Sequence, residues 1–296
     1  MQWGKPSFRD MSEVVVTRFA PSPTGRLHLG HVYSALKAWH FTQETGGRFL
    51  LRIEDIDQGR CRPEFEVGIY EDLKWLGIEW EKPVRRQSEH MDDYREALRR
   101  LDRMGLTYAC FCTRKEIAAE IAASPSAPQG PAGPVYPGTC RALSADQQNH
   151  KIKSGQTFSI RLDFEAARKR LLEQGRWPLH WVEEATGPVE ARPQDHGDIV
   201  LARKDTPTSY HLAVTLDDDL QGISHVIRGQ DLADSTHIHR LLQALLKLET
   251  PLYRHHRLIT DGQGRRLAKR DRSLTIAGLR KAGHTCQDVL RRLAEI

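Results

Sequence analysis

Two histidines three residues apart, His28 and His31, share the segment RFAPSPTGRLHLGH (residues 18–31) with Gly25 and Gly30. That combination suits phosphate chemistry. Val14 to Phe19 is a β-branched and aromatic run, PSPTG is turn-rich, and Leu36, Trp39 and His40 repeat at helical spacing within Val32 to Thr42. The histidines therefore fall where a strand gives way to a helix. Unpaired N–H groups at a helix N-terminus attract anions, glycine permits close approach, and imidazole donors stabilise charge developing at a phosphoryl group. On residue type alone, the plainer reading is that the pair caps the helix or sits in solvent.

A second constellation has metal-ligand chemistry. Cys110 and Cys112 are followed, across the loop-like stretch SPSAPQGPAGPVYPG, by Tyr136 and Cys140. This supplies three thiolates where zinc takes four ligands, with His150 as a candidate for the fourth and three metal-free buried cysteines as the alternative. Cys61 and Cys286 read as ordinary residues outside it. Five cysteines, an odd number, argue against a disulfide framework. Asp217, Asp218 and Asp219 invite a metal reading too, but a polar run of this kind is expected to be a solvated turn.

Net charge is +5 and the isoelectric point about 9.0. Between Arg254 and Lys281 nine Lys or Arg residues stand against Asp261 and Asp271, a local excess suited to phosphates or to a solvated basic surface. Charged residues make up 28% and mean hydropathy is -0.57, the profile of a globular chain that leaves no run long enough for a membrane span. The start, MQWGKPSFRDMSE, lacks the apolar core of a secretory signal, so a cytoplasmic location and no membrane partner are expected.

The elements that must position these residues alternate. Arg48 to Ile53 reads as a strand and Pro63 to Leu76 as a helix opened by its proline. After the Pro/Gly-rich loop, alternating character returns at Thr157 to Leu162, Asp198 to Ala202, Ser209 to Val214 and His225 to Ile227, before the helical stretch Ile238 to Leu248. The expectation is an α/β fold with a parallel, nucleotide-binding sheet that is interrupted and resumed.

RFAPSPTGRLHLGH, with HLGH in place of HIGH, then LLRIEDID (50–57) and YEDLKWLGIEW (70–80), resemble in order and spacing the opening half of a class I glutamyl-tRNA synthetase. SYHLAVTLDDDLQGISHVIRGQDL (209–232) resembles the second half of the same catalytic domain, and the matching segments span most of residues 14 to 245. Ala20 and Ser22 follow the glutamate rather than the glutaminyl branch. The resemblance implies that Arg18, Phe19, Ala20, Pro21, Ser22, Glu54, Tyr210 and Arg228 form the L-glutamate site. Arg18, Ser22 and Arg228 would contact the amino acid, Glu54 would bind its ammonium and Tyr210 would line the pocket. His28, Gly30, His31 and Lys269 would bind ATP with its Mg2+, and His28, His31 and Lys269 would be catalytic. Lys269 lies in RLAKR (266–270), which is similar to the KMSKS loop of this class. Arg266 replaces its first lysine and Ala268 its serine, while GQG (262–264) precedes it.

The short glutamyl-Q tRNA(Asp) synthetases have a similar Cys, Cys, Tyr, Cys set, so the resemblance assigns one structural zinc to Cys110, Cys112, Tyr136 and Cys140. The chain ends soon after Arg270, without room for the anticodon-reading domains of the larger enzymes, which again matches that family. This implies activation of glutamate and its transfer to the queuosine base in the anticodon loop of tRNA(Asp). The expected organisation is a Rossmann-type half at 1–108, a zinc-containing insertion at 109–195, the second half at 196–248 and a small helical stem-contact region at 249–296. The anticodon arm of tRNA(Asp) would be the partner of a monomer. A compact tRNA(Glu)-charging enzyme and a catalytically silent zinc-containing RNA-binding protein are the competing expectations.

Overall fold

The computed structural model describes residues 14–123, 129–131, 133–259 and 275–294. The chain runs β1 (Val16–Phe19), α1 (Leu29–Thr45), β2 (Arg48–Ile53), α2 (Pro63–Trp75), β3 (Glu81–Arg86), α3 (Met91–Arg103) and β4 (Thr107–Cys110). It continues through α4 (Arg114–Ala123), β5 (Gln129–Gly130), β6 (Gly133–Pro134), α5 (Ala145–Lys153), β7 (Ser159–Leu162), α6 (Phe164–Glu173), β8 (His180–Glu183), β9 (Gly187–Glu190) and β10 (Val200–Ala202). The remaining elements are α7 (Tyr210–Leu220), β11 (His225–Gly229), α8 (Ser235–Leu246), β12 (Leu252–His256), α9 (Ile276–Lys281) and α10 (Cys286–Ala294).

β1, β2 and β3 pair in parallel, as do β11, β12 and β8, with β9 antiparallel at the far edge. The two halves meet at Ser224, whose N–H donates to the Val16 carbonyl (3.0 Å) and whose Oγ accepts from the Val16 N–H (2.8 Å). Strand order runs outward from β1 in one direction and from β11 in the other. A crevice must therefore open beyond their C-terminal ends, the position at which doubly wound sheets bind ligands.

Helices cover both faces of this sheet. On β2, Phe49, Leu51 and Ile53 point to a core built with Leu29, Val32 and Leu36 of α1, Ile69 and Leu73 of α2, and Ile276, Leu279, Val289 and Leu293 of α9 and α10. Leu50 points to the opposite core, which contains Tyr94 and Leu101 of α3, Leu212 and Leu216 of α7, and Leu241 and Leu245 of α8. The turn between α1 and β2 needs both its glycines. Gly46 is left-handed at φ 63°, and a Cβ on Gly47 would meet the Val15 carbonyl at 2.5 Å. β4, β7 and β10 form a separate antiparallel sheet, pinned by buried Asp198, which accepts from the Tyr108 hydroxyl (2.6 Å) and the Phe164 N–H (3.0 Å). Among the described residues no helix is long and apolar enough to cross a membrane.

Two expectations need correction. Ser209 to Val214, read as alternating, opens α7, with Ser209 as N-cap, its side chain accepting from the Leu212 N–H. Leu212 to Asp218 are all buried, so the helix carries no polar stripe from which a 3.6-residue period could be read. The expected solvated turn at Asp217 to Asp219 is likewise absent: Asp217 and Asp218 lie inside α7 and are buried. Asp217 accepts from Arg85 Nε (2.8 Å), Gln87 Nε2 (2.8 Å) and the Tyr94 hydroxyl (2.8 Å), the partners a buried carboxylate requires.

Candidate active site

The crevice between β1 and β11 holds a cavity of about 510 Å³. Arg18, Phe19, Ala20, Pro21, Ser22, His28, Gly30, His31, Glu54, Tyr210 and Arg228 all line it, so the described members of the expected glutamate and ATP sets converge on one place. Lys269, Arg266 and Ala268 lie outside the described residues. On either side of that segment, Ile259 lines the cavity, and Thr275 forms a backbone bridge with His28, reinforced by the Ile276 N–H donating to the Leu27 carbonyl (2.9 Å).

His28 and His31 cap α1 and line the cavity at once. His28 Nδ1 accepts the Gly30 N–H (3.1 Å), His31 Nδ1 accepts the His28 N–H (3.4 Å), and the rings stack at 3.7 Å between centroids. Because each Nδ1 is an acceptor, the proton of each neutral ring sits on Nε2, which makes Nε2–H the donor such a ring offers a ligand. The helix cap and the phosphate reading are thus the same arrangement.

On the β1–β2 side, buried cations are neutralised. Arg18 Nε and Nη2 donate to Asp218 Oδ1 and Oδ2 (2.9 and 3.3 Å), and Arg52 Nη1 donates to Asp218 Oδ1 (2.8 Å) and Gln221 (3.0 Å). Arg52 Nη2 reaches Glu54 Oε1 at 3.1 Å. Burial pulls the Asp218 carboxyl upward, but Arg18 and Arg52 together hold it below the ordinary carboxylate range. Glu54 is raised because its burial outweighs Arg52 and Arg18. A cationic ligand group at Glu54 would restore what desolvation takes away.

Arg228, at the end of β11, is 4% exposed and sits in the opposite situation. Its Nε donates to His255 Nε2 (3.2 Å), Nη1 faces His239 Nδ1 (3.3 Å) and Nη2 donates to the Thr236 hydroxyl (2.7 Å). No carboxylate among the described residues lies within ion-pair distance of it. Burial holds the His239 ring well below its ordinary value, with Arg228 acting in the same direction. His211, 3.3 Å from His239, is pushed down to about 4 by burial, His196 and Arg228. These rings stay neutral and supply no countercharge to the guanidinium at the cavity wall.

The reading of the sequence missed several wall residues, including Tyr33, Asp231, His256 and Leu258. Asp231 had a local signal: it lies three residues after Arg228 in RGQD, and a Cβ on Gly229 would sit 2.5 Å from its Oδ1, so a larger residue there would have to displace the aspartate side chain.

The thiols also assemble. Cys110, Cys112 and Cys140 place their sulfurs within 4.8 Å of one another, and Cys112 and Cys140 are 3.4 Å apart. The Tyr136 hydroxyl is 3.5 Å from both Cys110 and Cys112 and accepts the Cys140 N–H at 2.9 Å, whereas His150 is exposed on α5. Zinc–sulfur bonds of about 2.3 Å at tetrahedral angles separate sulfurs by about 3.8 Å. Three thiols and one phenol oxygen at these distances fit a four-ligand metal site.

Residues 14–294 match the family described as tRNA synthetases class I (E and Q), catalytic domain. A glutamyl-Q tRNA(Asp) synthetase of Rhodobacter capsulatus is 46% identical over 94% of this chain and 99% of its own length. One of Nocardia farcinica is 41% identical over 94% and 83%. Among solved structures, a glutamate tRNA ligase from Elizabethkingia meningosepticum in complex with its amino acid superposes with a TM-score of 0.71 at 31% identity. That match covers 88% of this chain and spans about half (52%) of the ligase. The chain belongs to the class I tRNA synthetases of the E and Q type and, within them, to the glutamyl-Q tRNA(Asp) synthetase family.

Proposed function

We propose that this chain activates L-glutamate with ATP and transfers the glutamyl group to the queuosine base in the anticodon loop of tRNA(Asp). The observation that carries the glutamate assignment is Arg228, a buried guanidinium that faces the cavity with only neutral partners. It offers a fork matched to a carboxylate, while Glu54 across the site offers a carboxylate matched to an ammonium. Arg18 and Ser22 contact the amino acid and Tyr210 lines its pocket.

In the first step an oxygen of the glutamate α-carboxylate attacks the α-phosphorus of ATP and pyrophosphate leaves. The Nε2–H groups of His28 and His31 and the ammonium of Lys269 stabilise charge on the phosphates, and Mg2+ accompanies the nucleotide. In the second step a hydroxyl of the queuosine cyclopentenediol attacks the acyl carbon, AMP leaves, and the hydroxyl proton passes to solvent. Both steps depend chiefly on positioning and electrostatics. The acceptor assignment rests on the names of relatives similar over 99% and 83% of their own length. Cys110, Cys112, Tyr136 and Cys140 would hold one structural zinc within the 109–195 insertion, which approaches the RNA. About one zinc per purified chain, lost in Cys112→Ser, is expected, and metal-free protein of unchanged stability would refute it.

Labelled glutamate supplied with ATP is expected to load tRNA(Asp) bearing queuosine and to leave tRNA(Asp) lacking it unlabelled. Loading of tRNA(Glu) instead would make the chain a compact charging enzyme. Loading of neither, with no amino-acid activation, would leave the RNA-binding reading.

A further inference from the structure

Arg228 is oriented by a chain of side chains that reaches away from the cavity. The Glu183 carboxylate, at the end of β8, takes two hydrogen bonds from His255 on the neighbouring strand β12: the backbone N–H to Oε1 (3.0 Å) and Nδ1 to Oε2 (2.6 Å). A carboxylate only accepts, so Nδ1 carries the proton. His255 Nε2 lies 3.2 Å from Arg228 Nε and 3.4 Å from the Thr236 hydroxyl. Arg228 Nε–H is an obligatory donor, and a second N–H on His255 Nε2 would oppose it. Nε2 is therefore a bare acceptor and His255 is neutral, although it is paired with a carboxylate.

Glu183 thus acts at one remove. It fixes the tautomer of His255 without bringing its negative charge onto the guanidinium. Thr236 closes the ring, accepting from Arg228 Nη2 and donating to His255 Nε2. Of the guanidinium's five N–H donors, three face His255, His239 and Thr236. Two remain for a ligand. A carboxylate in direct contact with Arg228 would instead compete with the substrate carboxylate for the same charge.

We propose that Glu183 and His255 are positioning residues that orient Arg228 and thereby set the affinity and selectivity for glutamate; this rests on the glutamate-activating reading above. Neither residue belongs to a recognisable motif, since they stand 72 positions apart and meet only through the β8–β12 pairing.

The test is ATP–pyrophosphate exchange on the full chain with His255→Leu, His255→Gln and Glu183→Ala. His255→Leu, which offers Arg228 no acceptor, is expected to raise the KM for glutamate about 10-fold, with the KM for ATP unchanged and kcat within about 3-fold, as for loss of a hydrogen bond to a charged group. His255→Gln, whose amide oxygen can accept from Nε–H, is expected to restore the glutamate KM to within about 3-fold of the original. Glu183→Ala, which frees the His255 tautomer, is expected to raise it about 5-fold and to weaken discrimination against glutamine. Should His255→Leu fail to fold, the Glu183→Ala split between the two KM values decides alone. A glutamate KM that stays put in the folded variants, or that moves together with the ATP KM and kcat, overturns the positioning role while leaving glutamate activation standing. An unsubstituted chain that shows no glutamate-dependent exchange overturns both.

Discussion

Two buried clusters, Arg18 backed by Arg52 and Arg228 with its neighbours, border the same cavity, and they differ in what neutralises the arginines. Arg18 and Arg52 share Asp218, and Arg52 also reaches Glu54. Arg228 has a hydroxyl and two imidazoles. A buried charge is tolerable only when paired, so the first cluster is complete within the protein and the second is complete only with an anionic ligand. One side of the site is scaffold that presents a carboxylate, and the other is a receptor for one. An amino acid with an acidic side chain satisfies both.

The sharpest way to break this contrast is on the scaffold side. Asp218→Ala strips the shared carboxylate from two buried guanidiniums and is expected to cost about 3–5 kcal/mol of stability in denaturant titrations. A loss below about 1 kcal/mol would show that Asp218 is not the shared counter-ion. A smaller effect is expected on the receptor side, through its neutral imidazoles. His211 titrates near 4 when folded, against 6.5 ordinarily. Between those values the unfolded chain binds the extra proton, so stability from this group is fully present above about pH 6.5 and is lost as pH falls toward 4. His211→Gln is expected to show a shallower decline in Tm from pH 7 to pH 5 than the unsubstituted chain. An identical or steeper decline would place a protonated ring against His239, the imidazole that faces Arg228, and undo the contrast.

Much of the scaffold was legible in the sequence because its signals are local. Arg48 to Ile53 reads as a strand, Pro63 opens its helix, and the glycines and histidines of RFAPSPTGRLHLGH mark a strand–turn–helix junction. Helix α7 was not legible. Buried on all sides, it lacks an amphipathic stripe, and its aspartates looked like surface residues because their partners Arg18, Arg52, Arg85 and Tyr94 lie over 100 positions upstream. The receptor side was half legible. Arg228 and Tyr210 came from the family resemblance, but Glu183, His239 and His255 acquire meaning only once β8, β11, β12 and α8 bring them together. Tyr136 is similar: residue chemistry left His150 open beside it, and the fold places the phenol among the thiols.

The measurement that bears most directly on this account is glutamate-dependent ATP–pyrophosphate exchange by the unsubstituted chain and Arg228→Gln side by side, with and without tRNA. The expected result is exchange with L-glutamate but not with glutamine. In Arg228→Gln, kcat/KM for glutamate should fall about 100-fold or more while melting temperature holds, since the substituted charge had no carboxylate partner to strand. Glutamate-dependent exchange that survives Arg228→Gln at full efficiency, or its absence from the unsubstituted chain under both conditions, would contradict the assignment of Arg228 as the carboxylate receptor of a glutamate-activating site.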